Sequence, residues 1–294
     1  MAGFYSKYSG KVISATIDKY VYVAVNEKFA GDIRVSYSIT ENVPDTSCIK
    51  HTRTRAILEE SNIKNNIEVV SMADVPAGTG LGSSSAFTVA LYHALSLKTP
   101  HELAEMAAHL EIDILNEPIG KQDQYATAYG GLNTFTFNQN TVSVENFPRA
   151  HIGENLQKHI MLFYTGKNRD ASSVLCEQTK QDNFQLLRQM VDLVDDFQRT
   201  LISGNFKAAG EVVHLGWTIK KQLAPNVSNP EIDELYSKAI TAGAYGGKIL
   251  GAGNGGFLLF IAPPAKQDAI NKAVGLRQVK VNLTEQGSER IWNG

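Results

Sequence analysis

A glycine-rich loop between a predicted strand and a predicted helix constrains this chain more than any other feature. Residues 67–72 have the apolar pattern of a short strand and lead into residues 76–85, PAGTGLGSSS. Three glycines within five positions (78–82) let backbone N–H groups converge, and a helix N-terminus attracts anions through its unpaired N–H groups. The loop predicts a phosphate cradle. The alternative is a glycine-rich turn in which Ser83 caps the helix.

This loop is not a Walker A motif. In that motif Gly-Lys precedes Ser or Thr, whereas here Ser83 directly follows Gly82. The charge of a bound phosphate must therefore be met by backbone N–H groups, hydroxyl groups, magnesium and residues from elsewhere in the chain.

Two carboxylates, Glu111 and Asp123, lie twelve residues apart after this loop. Phosphoryl transfer needs one carboxylate to hold magnesium and usually a second to orient or deprotonate the attacking hydroxyl, so the pair has the required chemistry. Asp113 and Glu117 lie close by, and acidic residues are common on helix surfaces. Taken alone, the pair favours the simpler interpretation of solvated helix charges.

A second glycine cluster lies near the C-terminus. Residues 246–256, GGKILGAGNGG, contain six glycines in eleven positions and precede the apolar run 257–262. Such a loop has a high conformational entropy cost, so the sequence predicts close backbone approach to a ligand or to another chain segment. The alternative is a tight turn packed on a sheet.

Hydrophobic periodicity predicts strands and packed helices in both halves of the 294-residue chain. The fold class expected is α+β, with one domain at residues 1–155 and another at 156–294. Predicted strands include residues 160–164 and either one bent strand or two strands within 12–25. Predicted helices include residues 47–61, an amphipathic helix through 103–114, a long helical stretch broken near Gly204, and 232–242.

Charge and composition argue against several classes of function. The formal net charge is −2 and the closest basic cluster is Lys220 with Lys221, so no nucleic-acid partner is expected. Cys48 and Cys176 are not at metal-ligand spacing, which favours a reduced cytoplasmic location over a zinc site or a disulfide framework. The first eleven residues lack an apolar core, and no apolar run could span a bilayer, so no membrane partner is expected.

With these motifs together, the chain resembles the GHMP kinase superfamily over almost its whole length. Residues 76–85 resemble the second motif of that family, and residues 248–256 resemble its third, with Asn254 where glycine is more usual. The run 117–124, EPIGKQDQ, is most similar to the subfamily of D-glycero-D-manno-heptose 7-phosphate kinases. The resemblance implies a GHMP kinase fold, with an N-terminal half like domain 2 of ribosomal protein S5 and a ferredoxin-like C-terminal half.

The resemblance also implies roles for individual residues. Asp123 would be the catalytic carboxylate, Ser84 and Glu111 would coordinate Mg²⁺, and Lys121 and Arg169 would bind a substrate phosphate. For Lys121 and Arg169, ordinary surface charge remains the alternative. ATP and a sugar phosphate are the implied small-molecule partners, and a homodimer is a further expectation. The residues expected to bind ATP are Pro76, Gly78, Gly80, Gly82, Ser83, Ser84, Ser85, Gly251 and Gly253.

One family feature is not found where it is expected. The first motif, a strand ending in an Arg-x-x-x-x-Gly-Gly-Gly-Thr-Asp-like turn, would precede Phe4 and Tyr5. Without that strand we expect an exposed sheet edge, a more open sugar pocket, and Asp123 without its usual basic neighbour. The missing motif favours one alternative, a nucleotide-binding protein without kinase activity. A GHMP kinase for another substrate, such as fucose, galactose or mevalonate, is a second alternative.

Overall fold

The computed structural model of the chain describes residues 2–5, 7–29, 31–147, 152–167, 171–179 and 183–292. The strands are β1 (Gly10–Ala15), β2 (Val21–Glu27), β3 (Ile33–Ser36), β4 (Thr40–Val43), β5 (Ile67–Ala73), β6 (Leu132–Phe137), β7 (Val142–Asn146), β8 (Ile160–Tyr164), β9 (Gly246–Ile249) and β10 (Phe257–Ile261). The α-helices are α1 (Ala2–Tyr5), α2 (Thr52–Glu60), α3 (Ser83–Leu95), α4 (Pro100–His109), α5 (Gln122–Tyr129), α6 (Glu154–His159), α7 (Ala171–Thr179), α8 (Phe184–Ile202), α9 (Phe206–Lys220), α10 (Pro230–Thr241) and α11 (Gln267–Val274). Within these ranges no helix has both the length and the hydropathy that a bilayer span requires.

The chain forms two compact units. The first comprises residues 1–18, 77–81 and 131–285, and the second comprises residues 19–76, 82–130 and 286–294. Each unit contains both sheet and helices, so the α+β prediction is confirmed. Each unit is assembled from several separate segments of the chain. The proposed division into residues 1–155 and 156–294 describes two continuous domains, and it stays a prediction.

The second unit is built on a four-stranded sheet of order β2-β5-β3-β4. β3 pairs parallel with β5, and the other two pairings are antiparallel. Alternation along β3 and β5 buries Ile33, Val35, Ile67 and Val69, as expected for a sheet with one face on the core. Removing each such side chain from water stabilises the fold by about 1.5–3 kcal/mol. This core supports α3, whose N-terminus forms part of the site described below.

The first unit contains two antiparallel three-stranded sheets, β1-β6-β7 and β8-β10-β9. β10 is the central strand of its sheet, and its side chains are buried on both faces, with four of the five residues buried and one partly buried. Phe260 and Leu258 are fully buried and belong to the same core cluster as Tyr236 of α10 and Ile270 of α11. This packing fixes the position at which the second glycine cluster joins β9 to β10.

Several sequence predictions agree with these elements. The strand at residues 160–164 is β8, and the long helical stretch is divided at Gly204 into α8 and α9. Residues 12–25 contribute two strands to different sheets, not one bent strand.

One helix prediction was wrong in extent, and a second was right in extent but not in helix type throughout. Within residues 47–61 the α-helix begins only at Thr52, because His51 is its N-cap and accepts the backbone N–H of Thr54. The amphipathic helix ends as α4 at His109 and continues as a π-helix, Leu110–Ile114.

Candidate active site

The predicted phosphate loop ends at an uncapped helix N-terminus. Gly78, Gly80 and Gly82 have φ angles of +74°, +85° and +71°, which an L-amino acid with a side chain rarely adopts. Gly82 is the N-cap of α3 and, because it has no side chain, it makes no side-chain cap bond to the helix. Ser83 is the first helical residue, which contradicts the alternative that it is an ordinary cap. The α3 N-terminus therefore retains its attraction for an anion.

Glu111 is fully buried in the second unit, where it accepts three side-chain hydrogen bonds. Ser85 Oγ donates to Oε2 at 2.8 Å, Thr88 Oγ1 donates to Oε1 at 2.6 Å, and Gln124 Nε2 also donates to Oε2. Its exposed fraction is 0%. The interpretation of Glu111 as a solvated helix charge was therefore wrong. A buried carboxylate is retained only with donors such as these, because its desolvation is otherwise very costly.

The π-helix explains how the chain places Glu111 against α3. Its wider turn is closed by the bond from Leu115 N–H to the Leu110 carbonyl, and π-turns of this kind are frequent at functional sites. The next residue, Asn116, has a φ of +53°, and the Glu117 N–H then bonds the Glu111 carbonyl. The π-turn thus contains the residue whose carboxylate meets Ser85 and Thr88 of α3.

Asp123 lies in the first turn of α5 beside the start of α3. A Cβ atom built on Gly82 would lie 3.5 Å from both Cβ and Cγ of Asp123. The carboxyl group is therefore next to the bare backbone that begins the α3 helix, and it also accepts a hydrogen bond of 3.1 Å from Gln122 Nε2. Asp123 thus adjoins the predicted phosphate loop, which the simpler reading of it as a surface charge did not anticipate.

The three serines of the loop differ in their surroundings. Ser85 is buried against Glu111, whereas Ser84, predicted to share a metal with Glu111, is exposed, and its carbonyl accepts Thr88 Oγ1 at 3.1 Å. Thr88 and Gln124 were not predicted as site residues. The three-residue spacing of Ser85 and Thr88, which puts two hydroxyls on one face of an otherwise apolar helix, was a signal that could have identified Thr88.

Arg53 of α2 and Glu117 were also not selected as site residues, yet both lie beside Glu111. Arg53 Nη2 donates to both oxygens of Glu117, at 2.5 and 2.7 Å, and Arg53 Nε lies 3.6 Å from Glu111 Oε1. Burial raises the pKa of Glu117 above its usual value, with Arg53 opposing the shift and the Glu111 charge adding to it. The cluster is thus one guanidinium shared unequally between two carboxylates.

The two residues predicted to bind a substrate phosphate have different outcomes. Lys121 Nζ contacts both oxygens of Glu105, at 3.0 and 3.1 Å, and Tyr125 OH also donates to that carboxylate. Burial alone would raise the pKa of Glu105, but these donors outweigh it and hold the pKa below its usual value. Contact of Lys121 with a substrate remains a proposal. Arg169 lies outside the described residues.

The second glycine cluster approaches the phosphate loop within the first unit. A Cβ atom on Gly256 would lie 2.1 Å from the Thr79 carbonyl oxygen, and one on Gly253 would lie 2.5 Å from the Val227 carbonyl oxygen. The predicted close backbone approach is therefore confirmed, with another chain segment as the neighbour. Asn254, at the position where glycine is more usual, adopts a φ of +60°, which asparagine tolerates better than most residues.

The residues around Glu111 fit a hard cation bound together with phosphate. All the side-chain acceptors are oxygens, and Gln124 Oε1 is buried with no hydrogen-bond partner in the part of the chain that the structure describes. It is therefore an unused oxygen ligand beside the carboxylate, which Gln124 Nε2 bonds. The described residues contain no group of three or more His, Cys, Asp or Glu side chains able to hold a metal. A magnesium ion here would complete its shell with hydroxyl, water and phosphate oxygens, as Mg²⁺ usually does.

Comparisons with known proteins agree with this geometry. The family model for the N-terminal domain of GHMP kinases matches residues 46–131, and the model for their C-terminal domain matches residues 193–278. D-glycero-alpha-D-manno-heptose 7-phosphate kinase of Campylobacter jejuni is 29% identical, over 96% of this chain and 91% of that protein. Mevalonate kinase of Methanothermobacter thermautotrophicus is 28% identical, over 90% of this chain and 87% of that protein.

A solved structure shows the same fold. The crystal structure of a D-glycero-D-manno-heptose 1-phosphate kinase from Bacteroides thetaiotaomicron superimposes with a TM-score of 0.78 at 22% identity. The match covers 97% of this chain and 92% of that one, so the likeness extends over the segments of both units.

Proposed function

Since the chain belongs to the GHMP kinase superfamily, we propose that it transfers the γ-phosphoryl group of ATP to a sugar hydroxyl. The acceptor we propose is the anomeric hydroxyl of D-glycero-D-manno-heptose 7-phosphate. The observation that carries the proposal is the position of Asp123 against Gly82, at the uncapped N-terminus of α3, together with the buried Glu111 carboxylate beneath the same helix. The substrate assignment is supported by the Campylobacter relative and by the 117–124 motif.

In the proposed reaction the two glycine loops hold the triphosphate. The N–H groups at residues 78–85 would bind phosphate oxygens, with the hydroxyls of Ser83 and Ser84 as further donors and Pro76 restricting the loop's entry. Gly251 and Gly253 would contribute backbone from the second loop. Such positioning, with charge stabilisation by fixed dipoles, supplies most of the catalysis in phosphoryl transfer.

Asp123 would orient the acceptor hydroxyl and accept its proton as the oxygen attacks the γ-phosphorus. A new bond forms between this oxygen and phosphorus, the bond between the γ-phosphorus and the bridging β,γ-oxygen breaks, and ADP leaves with that oxygen. No covalent enzyme intermediate is needed. Glu111, with Ser84 or Ser85, would hold Mg²⁺, which neutralises phosphate charge when bound. The compartment we propose is the cytoplasm, where Mg-ATP is available.

Steady-state ADP release from Mg-ATP and D-glycero-D-manno-heptose 7-phosphate tests the proposal. We expect Asp123→Asn to lower kcat by roughly 10²–10⁴-fold, the usual contribution of a general base, while ATP binding is kept. Asp113→Asn is the matched control, because Asp113 is 63% exposed, pairs with His109 on the surface, and should be dispensable.

An acceptor panel separates the remaining alternatives. Turnover with fucose, galactose or mevalonate, and none with the heptose phosphate, would reject the proposed substrate but keep the kinase. Tight ATP binding with no turnover of any acceptor would instead favour a nucleotide-binding protein without kinase activity. Phosphorus NMR of the product identifies the hydroxyl used, because only an anomeric phosphate couples to the anomeric proton.

A further inference from the structure

The roles assigned so far leave the ion pair between Arg53 and Glu117 without a function. Both side chains are largely buried, with exposed fractions of 20% and 23%. Arg53 lies on α2, sixty-four positions before Glu117, so the pair joins two distant segments of the second unit. A buried charged pair is a weak source of net stability, because desolvation offsets most of its attraction.

The guanidinium of Arg53 lies between two carboxylates but bonds only one of them. Its Nη2 contacts both oxygens of Glu117 within hydrogen-bond distance. Its Nε, 3.6 Å from Glu111 Oε1, is buried and has no hydrogen-bond partner among the described residues. A buried donor without a partner is costly, so a shift of less than about 1 Å toward Glu111 would satisfy Nε. The bond to Glu117 opposes that shift.

The two carboxylate oxygens of Glu111 differ in how many further hydrogen bonds each can accept. Among the described residues, Oε2 accepts two donors, Ser85 Oγ and Gln124 Nε2, whereas Oε1 accepts one, Thr88 Oγ1. A carboxylate oxygen accepts about two hydrogen bonds, so Oε1 is the oxygen with capacity left. It is also the oxygen that Arg53 faces. A guanidinium moved onto Oε1 would occupy that capacity and place a positive charge where a cation is expected to bind.

We propose that Glu117 is a positioning residue: by retaining Arg53, it keeps Glu111 Oε1 available to magnesium. This inference rests on the proposed function, because it assumes that Glu111 is a magnesium ligand. On this inference Glu117 acts through Arg53, which it bonds with both carboxylate oxygens, and not by contact with nucleotide or acceptor. If the pair were only a structural brace between α2 and residues 115–121, its loss would lower stability and leave metal affinity unchanged.

The test measures metal binding directly, using Mn²⁺ as the probe. Free Mn²⁺ is followed by electron paramagnetic resonance while the full-length protein is titrated in the presence of a non-hydrolysable ATP analogue. We expect Glu117→Gln, which removes the charge but keeps the shape, to weaken Mn²⁺ binding by roughly 10–100-fold, as for other residues that orient a metal ligand. Binding of the analogue without metal should be unchanged. Glu117→Asp is the matched control and should retain most of the Mn²⁺ affinity.

A double-mutant cycle identifies Arg53 as the intermediary. In an Arg53→Met background the further change Glu117→Gln should have no effect on Mn²⁺ affinity, since there is no guanidinium left to release. An equal effect in both backgrounds, or unchanged Mn²⁺ affinity in the Glu117→Gln protein, would overturn the inference. If Arg53→Met does not fold, the comparison of Glu117→Gln with Glu117→Asp decides alone.

Failure of this inference can be told from failure of the proposed function. Wild-type protein that binds neither the ATP analogue nor Mn²⁺ would contradict the proposed function. Wild-type protein that binds both, with an affinity for Mn²⁺ that Glu117→Gln does not alter, would contradict only the role of Glu117.

Discussion

Replacing Gly256 by alanine should both destabilise the protein and weaken ATP binding. The residue has a φ of +89°, and an added Cβ would lie 2.1 Å from the Thr79 carbonyl oxygen, about 1.3 Å inside the 3.4 Å at which ordinary contact begins. That neighbour is backbone, so it cannot move aside as a flexible side chain would. Thr79 lies in the predicted phosphate loop, so any displacement falls on the residues proposed to hold ATP.

The expected magnitude combines two separable effects. A residue with a side chain in the left-handed region costs about 1–2 kcal/mol, and overpacking a close contact adds about 1–3 kcal/mol. Gly256→Ala should therefore lower the free energy of unfolding by roughly 2–5 kcal/mol. Gly275→Ala isolates the first effect, because Gly275 has a φ of +67° and no atom of the described residues lies within 4 Å of an added Cβ. It should lose only about 1–2 kcal/mol.

Two measurements on both variants distinguish these effects: urea unfolding gives the free energy of unfolding, and a separate ATP titration of the folded proteins gives the ATP affinity. We expect Gly275→Ala to bind ATP as the wild type does, while Gly256→Ala binds it more weakly at temperatures where both variants are folded. Equal losses of stability in the two variants would refute the argument that the close approach to Thr79 shapes the loop. A destabilised Gly256→Ala protein with normal ATP affinity would refute the link to phosphate binding.

Two further predictions concern Lys121 and Asn254. Because the pKa of Glu105 is held below its ordinary value of 4.5, its stabilising effect is complete above pH 4.5 and is lost as pH falls through the lowered pKa. Lys121→Met should reduce the loss of unfolding free energy at low pH, measured by urea unfolding at about pH 3–6. A raised KM for the sugar phosphate without this change would instead favour contact of Lys121 with the substrate. Asn254→Gly should keep ATP affinity and stability within about 1 kcal/mol, since glycine accepts its φ of +60°; a larger loss of stability would show that its bond to Asn229 holds the loop.

The family assignment could be predicted from the sequence because its signals are local. The glycines of residues 76–85 and 246–256 permit the conformations these loops adopt, and the positive φ angles at Gly78, Gly80 and Gly82 are ones that glycine readily accepts. The matches of the two GHMP kinase models confirm the resemblance inferred from these motifs. The strand at residues 160–164 was predictable for the same reason, since its apolar run is short and bounded.

The environment of the carboxylates could not be predicted in this way. Glu111 lies on the polar border of an amphipathic pattern, where a glutamate usually faces solvent. Its burial depends on the π-turn at residues 110–114 and on donors from α3 and α5, thirteen and more positions away. No periodicity in one segment reports which side chains of another segment will meet it.

The sequence by itself determined where backbone N–H groups can converge, because glycine spacing and the start of a helix are properties of consecutive residues. Tertiary structure decided which charges those groups meet. It placed Asp123 against Gly82, buried Glu111 beneath α3, and set Arg53 between Glu111 and Glu117. The physical reason is that a buried charge is stable only where several separate segments bring hydrogen-bond donors or an opposite charge to it, and that condition is met only in the folded chain.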